Sequence, residues 1–349
     1  MSSMGSLGSV MVAMSGGVDS SVAAAMLVDE GYDVTGVTLK LWGGDSDTGC
    51  CSASDTDDAR RVADQLGIAH YVFDFTDSFH GDVVDTYVAD HVAGLTPNPC
   101  VECNRTIKFG RLLERVDALG IDLLATGHHA RVEIGPGGRR QLLRGHDSAK
   151  DQSYVVAMLS EAQLQRVRFP VGRLTKADVR EHAARIGLRT ATKPDSQDVC
   201  FITRGGRREF LREHVADRAG SFVDGAGNVI GEHDGYARFT VGQRRGLGIA
   251  MGERRFVVDV DAGSAAVTIG TPSDLLRDEV SVRDVTFVDG PPLAEISVQA
   301  RAHGPAVAAR LDGGRVLFAA PQLRVAPGQL IALYDAHDPD VVVGSAVAR

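Results

Sequence analysis

The string Ser15-Gly16-Gly17-Val18-Asp19-Ser20-Ser21 has the residue types needed to hold a polyphosphate. Two glycines let the backbone turn so that successive N–H groups converge on an anion, and a helix N-terminus behind them adds partial positive charge. Ser15, Ser20 and Ser21 supply hydroxyl donors, and Asp19 is a candidate to hold a magnesium ion beside the phosphates. No lysine follows the glycines, which excludes the G-x-x-x-x-G-K-[ST] loop of kinase-like ATPases. A plain strand-to-helix turn with a serine cap is the bland alternative. The complete string, set between a strand and a helix, argues against it.

Cysteine supplies the second chemistry. Cys50, Cys51, Cys100, Cys103 and Cys200 make an odd number in a large chain, which does not read as a disulfide framework. Cys103 and Cys200 fall in segments bearing Gly, Pro, Asn or Asp, so both are expected in loops rather than on core faces. Two such thiols suit sulfur transfer, one carrying a persulfide and the other attacking or resolving it. A lone cysteine is more often a small buried hydrophobe. Cys50, Cys51, Cys100 and Cys103 also admit a zinc or iron–sulfur reading, since four thiolates hold either. Adjacent cysteines are an awkward ligand pair, however, and Cys103 would lose its nucleophilic role.

The elements that must position these residues alternate in type over the first part of the chain. Strands are expected over 10–14, 34–41, 69–75 and 121–126, with helices over 18–30, 55–66, 78–92 and 106–119. That alternation predicts an α/β fold, a parallel sheet with helices on both faces, whose ligand lies at the carboxyl ends of the strands. Ser15, the 38–42 segment and the 126–128 segment should therefore meet. Helices over 153–159, 161–167, 176–186 and 207–215 follow. Short strands come next, over 222–223, 229–230, 238–241, 256–260 and 266–269. A second β-rich run covers 280–287, 296–302, 306–311, 315–318, 330–334 and 341–348. Such a pattern predicts a small β-rich central domain and then a C-terminal β-barrel. The expected divisions are 1–205, 206–278 and 279–349.

At 349 residues with 44% hydrophobic and 24% charged side chains, the chain has the make-up of a folded multi-domain protein rather than a disordered one. No apolar run approaches the ~18 residues that cross a bilayer. The start, Met1 to Gly8, has neither the basic cluster nor the apolar core of a signal peptide, so a cytoplasmic protein without membrane partners is expected. Net charge is −9, and residues 1–100 hold three basic against fifteen acidic side chains. Residues 161–220 reverse the balance with thirteen basic and eight acidic. General nucleic-acid binding is thereby disfavoured, while a local polyanion contact is left open.

The 15–20 loop resembles the pyrophosphatase loop of enzymes that adenylate a substrate oxygen with ATP. Further strings narrow the likeness: Thr96-Pro97-Asn98-Pro99-Cys100-Val101-Glu102-Cys103-Asn104, Ala125-Thr126-Gly127-His128, Lys150-Asp151-Gln152-Ser153-Tyr154, Asp195-Ser196-Gln197-Asp198-Val199-Cys200-Phe201-Ile202 and Gly242-Gln243-Arg244-Arg245-Gly246-Leu247-Gly248. In this order they resemble the bacterial tRNA-specific 2-thiouridylase family. The resemblance implies ATP-dependent exchange of sulfur for the C2 oxygen of a wobble uridine, with tRNA and a protein persulfide donor as partners. It implies Cys200 as persulfide carrier and Cys103 as nucleophile. ATP, with magnesium at Asp19, would meet Ala13, Met14, Ser15, Gly16, Gly17, Val18, Asp19, Ser20, Leu39 and Gly127. The tRNA would meet Asn98, Pro99, Cys100, His128, Lys150, Asp151, Gln152 and Gln329. One departure stands out: many such relatives carry Asp where this chain has Cys100, which puts a general acid–base role there in doubt. Two rivals remain. One is a small-molecule ligase on the same fold, which needs no cysteine pair. The other is a non-enzymatic RNA-binding or metal-holding module, which needs no pyrophosphate loop.

Overall fold

The structure is a computed structural model that describes residues 7–42, 52–195, 199–202, 206–249, 253–291 and 295–349. It divides into two compact units, one of residues 1–83, 100–201 and 340–343, the other of 84–99, 202–339 and 344–349.

The first unit is built on a five-stranded parallel sheet. Its strands are β1 (Ser9–Ala13), β2 (Asp33–Lys40), β3 (Ala69–Asp74), β4 (Leu123–Thr126) and, after a hairpin of β5 (Ala130–Ile134) and β6 (Arg140–Arg144), β7 (Val167–Arg168). The spatial order is β3-β2-β1-β4-β7. β1 is central, paired in parallel with β2 on one side and β4 on the other. Its apolar run is explained by burial on both faces: Val10 and Val12 join one core cluster, while Met11, pointing the other way, is also buried. That cluster adds Val22, Ala23 and Leu27 of helix α1 (Val18–Glu30) and Val62 and Ala63 of α2 (Ala53–Leu66). α1 contributes Ala23, Ala24 and Ala25, small side chains that permit close helix-to-sheet approach. Ser52 caps α2 by accepting the Asp55 N–H.

Three differences from the sequence reading lie here. The expected helix over 106–119 begins earlier, at Pro99–Glu102, and passes through a π-helical stretch, Cys103–Arg111, before Leu112–Ala118. The helix expected over 153–159 stops at Val156. The β5–β6 hairpin and β7 are not foreseen by the sequence pattern, which makes Val167 the end of a helix, yet Val167 pairs with Leu124 in the sheet.

The second unit holds two β assemblies. The smaller sheet has the order β10-β11-β8-β9, from β8 (Gly220–Val223), β9 (Val229–His233), β10 (Phe256–Asp261) and β11 (Ala266–Gly270). No strand forms over 238–241: Tyr236–Arg238 is a 3₁₀ turn, and the Thr240 N–H donates to the Gln243 side chain instead of to a neighbouring strand. The larger assembly uses β12 (Leu276–Phe287), β13 (Glu295–Gln299), β14 (Val307–Asp312), β15 (Arg315–Leu323), β16 (Leu330–Asp335) and β17 (Val341–Ala348). Pairing of β12 with both β15 and β17 closes it into a barrel. The strand expected over 296–302 ends at Gln299, whose amide turns back onto the Arg301 and Ala302 carbonyls. The parallel sheet, the small β-rich region and the barrel are the architecture the sequence predicts.

Candidate nucleotide and thiol site

β1 ends at Ala13 and Met14 leads into the loop, its N–H donating to the Val37 carbonyl (2.7 Å) and its own carbonyl accepting from Thr38 (2.8 Å). The ends of β1, β2 (with Leu39) and β4 lie together at the carboxyl edge of the sheet. Gly16 has φ +71°, and a Cβ there would stand 2.2 Å from the Asp55 carbonyl oxygen, so only glycine fits. Gly17 caps α1 without a side chain, which leaves the first N–H groups of the helix open to a ligand. Inside the loop the Ser15 N–H donates to Ser20 Oγ (3.1 Å), and Ser21 Oγ donates to the Gly17 carbonyl (2.8 Å). Gly127, expected to face ATP, packs against the start of α1: a methyl there would lie 2.5 Å from the Ser20 nitrogen and 2.7 Å from the Asp19 carbonyl carbon.

Two lysines that sequence reasoning missed complete the loop. Lys193 Nζ reaches the Gly16 carbonyl (3.0 Å), Asp55 (2.5 Å) and Asp58 (2.7 Å). Lys176 Nζ reaches both Asp19 carboxylate oxygens (2.7 Å each) and Asp195 (3.0 Å). His129 Nε2 stands 3.1 Å from Asp19 Oδ1. Burial raises the Asp19 pKa, but hydrogen bonds from His129 and Lys176 and the Lys176 charge outweigh it, so Asp19 is held ionised. Asp195, also pushed upward by burial, is brought down to about 2 by Lys150 and Lys176. Lys176 takes one acceptor site on each Asp19 oxygen and His129 a second on Oδ1, which leaves one position on Oδ2. A single carboxylate position suits a magnesium ion held chiefly by phosphate oxygens. Among the described residues no group of three or more His, Cys, Asp or Glu side chains is placed to hold a metal; Cys50 and Cys51 lie outside those residues.

The residues expected to face RNA have partners of their own. Lys150 pairs with Asp195 (2.8 Å). Asp151 accepts from Arg144 (2.8 Å), Ser153 Oγ (2.9 Å) and the Gly145 N–H (2.9 Å). The Gln152 side chain accepts the His129 N–H (2.8 Å). His128 is buried beside Thr126 Oγ1 (2.7 Å), with Phe109 and Phe169 about it; burial, then Lys108 and His129, hold it neutral. In the second unit Asn98 is half-buried, Pro99 is buried, and the Gln329 amide donates to the Thr96 carbonyl.

Cys103 is not in a loop. It opens the π-helical stretch and is buried, 7% exposed, with Asn104 anchored on the Val155 carbonyl (2.9 Å). The π-helical stretch runs for nine residues, and π-helical geometry is frequent at functional sites. Cys100, one turn earlier, is exposed. Cys200 is half-buried in a turn, as expected, beside Phe201, which packs on Phe79 and Trp42. Ser196, Gln197 and Asp198 lie outside the described residues.

Against known proteins, residues 8–204 match the family model described as a tRNA methyl transferase HUP domain, 208–271 a tRNA methyl transferase PRC-barrel domain, and 277–348 an aminomethyltransferase beta-barrel domain. The chain is 49% identical over 355 residues to the tRNA-specific 2-thiouridylase MnmA of Mycobacterium avium, covering 97% of this chain and 98% of that one. It is 49% identical to the protein of that name from Mycolicibacterium paratuberculosis, with the same shares covered. A third relative so named, from Roseiflexus castenholzii, is 45% identical over 97% of this chain and 99% of its own.

Proposed function

The chain belongs to the tRNA-specific 2-thiouridylase family, and on that premise we propose the chemistry by which this tRNA-modifying sulfurtransferase uses ATP. The 15–20 loop and the N-terminus of α1 bind the phosphates of ATP, with Gly16, Lys193 and Lys176 fixing the loop. Magnesium arrives as the counter-ion of ATP rather than as a resident ion. The uracil O2 attacks the α-phosphorus: an O–P bond forms, the bond to the β-phosphate breaks, and pyrophosphate leaves. The N3 proton released in that step is regained by the product.

Cys200 receives sulfane sulfur from a persulfide donor protein. Its terminal sulfur adds to C2, and AMP departs with the original oxygen. The Cys103 thiolate then attacks the Cys200 sulfur, leaving the bonding electrons on the sulfur attached to C2. A Cys103–Cys200 disulfide results, and an external dithiol reduces it. His128, neutral and buried, orients the base, while Asn98, Pro99, Cys100, Lys150, Asp151, Gln152 and Gln329 contact the RNA. We assign nucleotide and sulfur chemistry to 1–205 and RNA binding in part to 206–278 and 279–349.

The observation that most supports this reading is a lysine-braced glycine loop at the end of a central parallel strand, in the same compact unit as Cys103 and Cys200. Its test is sulfur loading. Cys200→Ser should accept no labelled sulfane sulfur yet still adenylate tRNA and release pyrophosphate, whereas Cys103→Ser should load sulfur without passing it on. Full thiolation by either variant would refute the relay.

A further inference from the structure

The second unit carries a cluster of unneutralised arginines. A cavity of about 290 Å³ is lined by Arg207, Arg208, Arg238, Gln243, Arg245 and Phe239. Arg238 pairs with Asp217. Arg207, Arg208 and Arg245 have no carboxylate within ion-pair distance among the described residues, and neither do the flanking Arg244 and Arg254. Composition does not force this, because residues 206–278 contain ten arginines against eleven carboxylates. Of the four arginines that line the cavity, only Arg238 has a carboxylate partner among the described residues.

Arg207 is the informative member. It is half-buried at the start of the Gly206–His214 helix, and its guanidinium donates to Thr240 Oγ1 (2.6 Å). A partly desolvated guanidinium with a neutral partner costs stability unless an anion completes its hydrogen bonding. Arg208 and Arg245, both exposed, supply planar donor forks at the rim. Phe239 gives an apolar wall, and the Gln243 side chain is already engaged with the Thr240 N–H (3.2 Å) and the Arg245 carbonyl (3.0 Å), which fixes the loop.

We infer that this cavity is a phosphate-binding site for the sugar–phosphate backbone of the tRNA substrate, separate from the nucleotide loop. The inference rests on the 2-thiouridylase reading and adds to it a docking point beyond the residues assigned there. On a chain of net charge −9, one concentrated patch gives RNA capture both attraction and register.

The test is the salt dependence of tRNA binding by the full chain. Arg208→Gln combined with Arg245→Gln changes only exposed side chains. For every phosphate that an arginine no longer neutralises, the slope of log affinity against log salt should fall by about 1. The double variant should therefore show a slope shallower by about 2 and an affinity roughly tenfold weaker near physiological salt. Its ATP affinity should match wild type. Inorganic phosphate, titrated as a second probe, should displace tRNA from wild type more readily than from the variant. Equal slopes for the two proteins would overturn the site, as would phosphate binding that the variant loses while its tRNA binding is unchanged. Wild-type protein that binds no tRNA would instead overturn the functional reading on which the inference rests.

Discussion

Lys193 places one ammonium group on the Gly16 carbonyl and on two carboxylates of α2, so the curvature of the nucleotide loop depends on a residue 177 positions away. The glycines and serines of the loop are legible in the sequence because they are contiguous and their chemistry is local. Lys193 and Lys176 are not: each is an ordinary charged residue in its own segment, and only the fold brings it to the loop. Lys193→Met should raise the KM for ATP by about tenfold, the equivalent of one charged hydrogen bond, with the thermal midpoint lowered modestly; steady-state AMP release at varied ATP would measure it. His91 makes a different prediction. It is 1% exposed, its Nε2 has no hydrogen-bond partner among the described residues, and burial, then Arg207, lowers its pKa to about 3. The unfolded chain binds a proton there below pH ~6.5 that the folded chain refuses, so stability falls as pH drops from about 6.5 toward 3. The cost is of the order of 2 kcal/mol at pH 5. His91→Gln should flatten that part of the stability–pH curve, as followed by thermal unfolding at pH 5 and 7.5.

β1, the loop after it and α1 act as one element, and Gly127 is where β4 meets them. Its ideal Cβ would fall 2.5 Å from a backbone nitrogen of α1, and backbone cannot move aside as a flexible side chain can. Gly127→Ala should therefore push β4 away from α1, costing about 1–3 kcal/mol and sharply reducing AMP formation. Urea unfolding and AMP release on the purified variant would measure both effects, whereas unchanged values would mean the two elements are not in register. The alternating β1–α1–β2–α2–β3 pattern is legible because buried parallel strands are continuous apolar runs. The β5–β6 hairpin escapes notice because Arg131, Glu133, Arg140 and Arg144 interrupt its apolar positions; Arg131 is anchored instead by Asp340 (2.6 Å). The 238–241 segment looks like a strand by composition, but the Gln243 side chain takes up the Thr240 N–H that a strand would have used. Cys103 looks like a loop residue because Pro97, Asn98 and Pro99 precede it. The helix starts at once with Pro99 and buries the thiol.

For the molecule as a whole, acidic residues dominate the first 100 positions, while unpaired arginines gather in the second unit. No described helix is long and apolar enough to cross a membrane. The family is legible from the collinear motif strings, since each needs particular residues in a particular order. The network joining Asp19, Lys176, Asp195 and Lys150 is not, because its members come from four separate segments. That network links the nucleotide loop to the stretch leading to Cys200, and the account stands on the two halves serving one reaction. The most direct measurement supplies wild-type protein with unmodified tRNA, ATP and a sulfane-sulfur donor, and then analyses digested nucleosides together with released AMP. The account predicts 2-thiouridine at the wobble position and AMP in equal amounts, with no thiolated nucleoside when ATP is omitted or Cys103 is replaced by Ser. Thiolation without ATP, or undiminished thiolation by Cys103→Ser, would contradict it.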